Sequence, residues 1–137
     1  MNKYLILHGL LMILIGNLGG IGYSKAIRKI IKNEGSWRVF HTASFTGGVL
    51  LIAFSSFFDK LTSSYSYSTL LLCGIILSNY LFIIGMFLAA IFGKRGIDKK
   101  DKGVINILIY CIYFFASLLS FSYLVILIYL MLVHAAT

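Results

Sequence analysis

Residues 4–23 read YLILHGLLMILIGNLGGIGY, with no Asp, Glu, Lys or Arg among them. That run has the roughly 20 residues a helix needs to cross a bilayer. It is too long for a signal-peptide core, has no A-x-A cleavage pattern, and passes straight into a basic segment, so it reads as a retained membrane helix. Working outward from it, three further apolar runs cover about residues 39–58, 69–92 and 104–133. The last exceeds what a span requires and must tilt or project beyond the membrane. The expected architecture is an all-α, integral membrane, antiparallel four-helix bundle forming a single domain over residues 1–137.

Composition agrees. Of 137 residues, 60% are hydrophobic and 12% charged, and there is no proline, whereas a soluble domain is about 45–50% apolar and about 25% charged. Four spans leave no length for a separate soluble catalytic domain, so any chemistry sits in the bilayer or at its edge.

The net charge is +8, which in a soluble protein would suggest nucleic acid. Here ten of the twelve cations fall in two loops: Lys25, Arg28, Lys29, Lys32 and Arg38 in one, Lys94, Arg95, Lys99, Lys100 and Lys102 in the other. Insertion topology accounts for them, and no nucleic-acid partner is expected. The positive-inside rule puts both basic loops in the cytoplasm and both termini outside, and the expected location is a bacterial inner (cytoplasmic) membrane. Segment 24–32 sets Ile27, Ile30 and Ile31 among cations, which fits either a short amphipathic helix at the headgroups or a solvated flank. Tyr4, Tyr23, Tyr65, Tyr67, Tyr129 and Trp37 are placed as interfacial anchors. Cys73 and Cys111 lack any metal-site spacing and read as small packing residues.

No ionisable Asp, Glu, Lys or Arg lies deep within a span, which argues against a proton pump, a voltage sensor or an ion-coupled transporter. Of the histidines, His8 and His134 sit near the outer surface, and His41 enters the second helix from the cytoplasmic side. His8 and His41 lie more than about 10 Å apart in depth, too far for one metal.

On a helix, the face of His41 carries Trp37, Ser44, Phe45 and Gly48. Ser44 and Gly48 make a smooth strip on which a flat group could lie, and Asn17 of the first helix stands near the same depth. A neutral imidazole is the usual axial ligand of haem iron. The same small residues would also suit helix packing, with the histidine bonding a backbone carbonyl across the interface. Spacing leaves both readings open. Gly16 and Gly20 at GxxxG spacing, with Gly9, Gly19 and Gly22, mark the first helix as a contact face.

Two stretches resemble a known family: HGLLMILIGNLGGIG, residues 8–22, and GSWRVFHTASFTGGVLLIAFSSFFDK, residues 35–60. They are similar to the first two helices of the styrene oxide isomerases, small four-helix membrane enzymes in which an HG-x-LMI opening precedes a glycine-bearing helix and a GW-x-R-x-H segment begins the second. The latter reads Gly35, Ser36, Trp37, Arg38, Val39, Phe40, His41, with one extra residue between Gly and Trp. The resemblance covers about the first 60 residues.

The resemblance implies that His41 is the axial ligand of haem b and that the protein is a homotrimer with haem between neighbouring subunits. Trp37, Ser44, Gly48 and Asn17 would surround the cofactor. Ferric iron would act as a Lewis acid, isomerising a small apolar epoxide to a carbonyl compound. The chain departs from the family at two places. Gly47 stands where the family has an asparagine, and Phe87 where it has a tyrosine beside the substrate. The alternative is a non-enzymatic small membrane subunit, either an accessory element of a larger complex or a haem electron carrier.

Overall fold

The computed structural model describes residues 1–98 and 101–135, the last by its backbone alone. Lys99 and Lys100, two of the expected loop cations, lie outside the described residues. The elements are α1 (Lys3–Ile27), α2 (Glu34–Ser55), α3 (Phe58–Thr62), α4 (Ser68–Phe92) and α5 (Val104–Ala135), with no strand among the described residues. α1, α4 and α5 are long and apolar enough to cross a membrane. The protein is therefore an all-helical membrane protein.

The second helix differs from expectation in both its bounds and its character. It begins at Glu34 rather than about residue 39, because Glu34–Arg38 end the apolar run without ending the helix. It stops at Ser55 rather than running through Phe58. There the hydroxyls of Ser55 and Ser56 bond back to the carbonyls of Ile52 and Ala53, at 2.6 and 2.7 Å, competing for acceptors at the helix terminus. Its polar residues keep it out of the set that qualifies by composition, so among the described residues three helices rather than four meet both requirements. At 22 residues it is nevertheless about 33 Å long, and it packs between α1 and α4.

The helices follow one another in space as they do in sequence: α1 along α2, α2 on α4, α4 on α5, with α1 touching α4 only lightly. A continuous core runs through Leu5 and Met12, Phe40 and Leu51, Ile75 and Ile83, and Tyr123, Leu127 and Leu130. α3 closes one end with Phe58 and Leu61. Large apolar side chains such as Leu14, Leu18, Phe114, Phe121 and Ile128 remain exposed, as a surface bathed in lipid requires.

Polar contacts tie the ends. At one end the Asn2 side chain accepts from the N–H groups of Tyr4 and Leu5, capping α1, while its amide donates to Asp59 at 2.7 Å. At the other, the two basic loops meet. The Asn33 amide donates to the carbonyl of Ala90 at 3.1 Å, and the Gly93 N–H donates to that of Ala89 at 2.9 Å. Together they satisfy acceptors that the C-terminus of α4 would otherwise leave open. Segment 24–32 forms no separate amphipathic helix: residues 24–27 complete α1, and a turn follows with Lys29 and Asn33 in the left-handed region.

Candidate functional site

α1 and α2 approach closely because glycine lines their contact. Gly9, Gly16, Gly19 and Gly48 are all buried there, and a Cβ on Gly16 would fall 2.9 Å from the Phe45 nitrogen. In a bilayer, where apolar surface alone gives helices little reason to associate, such backbone approach provides the van der Waals contact that joins them. The contact also corrects an expectation. Gly48 packs on Gly9 of α1 and Ser44 is fully buried, so the strip beside the imidazole is not open to a flat ligand. Gly9, Gly16 and Gly19 of the first helix and Gly48 of the second are likewise packed within the chain, whereas Gly20 is not fully buried. Among the described residues the Ser44 hydroxyl has no hydrogen-bond partner.

His41 lies at the edge of this seam. Its Nδ1 is 2.7 Å from the carbonyl oxygen of Gly16. A carbonyl only accepts, so Nδ1 carries the hydrogen and, in the neutral ring, the lone pair resides on Nε2. Gly20 faces the same ring: a Cβ there would sit 3.2 Å from both Cε1 and Nδ1. Tyr23 stacks on it at 6.4 Å between centroids. From Gly20 a groove of about 340 Å³ follows α1 towards its basic end, lined by Asn17, Ile21, Ser24, Lys25 and Arg28. Asn17 lines this groove, whereas His41 is not among its lining residues and adjoins it only at Gly20.

Trp37 does not join them. It lies edge-on to Phe40 and Phe87, at 5.9 and 6.2 Å between centroids. The three line an apolar pocket of about 360 Å³ between α1, α2 and α4, with Ile15, Leu18 and Ile83. Phe87, standing where the family has a tyrosine, is part of that wall.

Two polar pairings were not legible in the sequence. The imidazole Nδ1 of His8 is 3.0 Å from the Tyr80 hydroxyl, linking α1 to α4. Asn79 donates to the Ile75 carbonyl at 2.9 Å and turns its Oδ1 to Gly47, 3.3 Å from where a Cβ would stand. An amide thus lies against the site where the family's asparagine is missing, but it comes from α4. The polarity of Asn79 and Tyr80 was the only sign of either contact. His134 bonds back to the Leu130 carbonyl at 3.1 Å. Among the described residues no group of three His, Cys, Asp or Glu side chains could hold a metal ion.

A search of curated proteins finds no match. The family model described as styrene oxide isomerase matches residues 1–132, well past the two motif-bearing helices and into the last turns of α5. The chain belongs to the styrene oxide isomerase family.

Proposed function

We propose that this chain is a membrane-embedded haem b isomerase that converts a small apolar epoxide to a carbonyl compound. It would work as a homotrimer in a bacterial inner membrane, with the basic loops in the cytoplasm and the termini outside. Family membership supports the isomerase activity. The cofactor reading rests on the family resemblance; the bond from His41 Nδ1 to the Gly16 carbonyl, which helix packing alone also produces, is compatible with it because the Nε2 lone pair is left for a metal. Histidines that ligate metals characteristically donate their other ring nitrogen in this way, which fixes the tautomer and raises the basicity of the ligating nitrogen.

The residues fit such a group. His41 would hold the group through Nε2, and Gly20 leaves the imidazole flank free of a side chain. Asn17 and Ser24 offer hydrogen bonds, and Lys25 and Arg28 place positive charge where the carboxylates of haem b would reach the cytoplasmic interface. When bound there, ferric haem supplies a Lewis acid that polarises an epoxide oxygen. Isomerisation needs no net proton transfer, no water and no second substrate. A site without a buried carboxylate or ammonium therefore suffices, and this chain carries none within its apolar spans. The apolar Trp37–Phe40–Phe87 pocket shares no lining residue with the groove beside His41, so it is not assigned to the reacting substrate.

The purified protein, reconstituted with haemin and given styrene oxide, should yield the isomeric aldehyde by gas chromatography. Haem-loaded protein that turns over neither styrene oxide nor an alkyl epoxide would overturn the catalytic reading.

A further inference from the structure

Arg38 of α2 and Arg95, just beyond the end of α4, line one groove of about 310 Å³ between α2, α4 and α5. The two arginines are far apart in sequence, and among the described residues neither has a hydrogen-bond or ion-pair partner. Of the acidic side chains in the two loops, Glu34 pairs with Lys29 and Asp101 with Lys94, and Asp98 is also engaged. The rest of the groove turns apolar with depth through Val39, Met86, Ala89 and Tyr113. Met86 lies six residues before the end of α4, about 9 Å along its axis. Two like charges therefore converge at the membrane surface over a floor that descends into the bilayer.

We propose that this groove binds an anionic phospholipid, with its phosphate between Arg38 and Arg95 and an acyl chain along Val39, Met86 and Tyr113. A guanidinium presents a planar fork that matches phosphate oxygens in pairs, and a phosphate between the two arginines removes their mutual repulsion. The apolar floor distinguishes a lipid from free phosphate. Neither haem nor turnover enters the proposal, so it stands or falls separately from the isomerase reading.

The test is thermal unfolding of the full chain in mild detergent with added phosphatidylglycerol, phosphatidylcholine or inorganic phosphate. Phosphatidylglycerol should raise the midpoint by several degrees more than phosphatidylcholine, and inorganic phosphate should leave it unchanged. The double variant Arg38→Gln/Arg95→Gln should lose most of that increment, whereas Lys32→Gln/Lys102→Gln, which removes the same charge elsewhere on this face, should keep it. Equal midpoints for the two lipids, or an undiminished increment in the arginine variant, would overturn the proposal. An equal effect of inorganic phosphate would assign the groove to free phosphate instead. Should the arginine variant fail to fold, the wild-type chain still decides. In native mass spectrometry from mild detergent it should retain added phosphatidylglycerol at lower mole fraction than phosphatidylcholine. Equal retention overturns the proposal.

Discussion

Gly9 and Gly48 meet backbone to backbone: a Cβ on Gly48 would stand 2.5 Å from the Gly9 carbonyl oxygen, and one on Gly9 would stand 2.7 Å from that of Gly48. Neither neighbour can rotate away as a side chain could, so a methyl group at either position must part the helices. Gly48→Ala should destabilise the protein by about 1–3 kcal/mol, the usual cost of overpacking, read as a lower thermal midpoint in detergent. Gly74→Ala is the control. Nothing lies within 4 Å of its Cβ position, and its effect should be close to neutral.

The Gly47 position answers differently from what the family comparison alone suggests. Restoring the missing asparagine there would set its Cβ 3.0 Å from Met12 Cε and 3.3 Å from Asn79 Oδ1, so both side-chain ends would have to shift to admit it. Gly47→Asn should therefore destabilise by roughly 1–3 kcal/mol and lower epoxide turnover. Gly47→Asn/Asn79→Ala should recover a good part of the stability. A single variant as stable as the wild type in a thermal melt would show that Asn79 does not occupy that space.

These two glycines also show how far the sequence could be read. The apolar runs and charge clusters made the helical membrane architecture legible, since both follow from the solvent on either side. The orientation of each helix about its axis was not legible. Gly19 and Gly20 are adjacent, yet one is buried on Phe40 and the other borders His41 and the open groove. A step of about 100° on a helix separates seam from site, and only the partner helix decides which is which. The same uncertainty assigned Ser44 and Gly48 to the wrong surface and grouped Trp37 with His41. The place of His41 just inside the second helix was legible from the apolar run, whereas its carbonyl partner on the first helix depended on how the two helices face each other.

The loop between α4 and α5 carries a pH dependence. The Asp101 carboxylate accepts from the Lys94 ammonium and from the Gly103 N–H, at 2.9 Å for the latter. The Lys94 bond first and the Gly103 bond second hold its pKa below the ordinary 3.8. A depressed carboxylate stabilises the fold above its unfolded pKa, and that contribution is lost as pH falls through the lower folded value. Asp101→Asn should thus be less stable than the wild type at neutral pH. The gap should close below pH 3.8, followed as the thermal midpoint against pH. A gap that persists undiminished into acid would show that the carboxylate's charge contributes nothing.

The central claim, that His41 holds haem through Nε2 while Nδ1 is committed to Gly16, is tested most directly by the absorbance spectrum of the purified, haemin-supplied protein and its histidine variants. The wild type should show a Soret band. His41→Ala should lose it while still inserting in the membrane, since no charge is changed and alanine favours helix. His8→Ala and His134→Ala should keep it. A wild-type protein without a Soret band, or a band unchanged in His41→Ala, would contradict the claim.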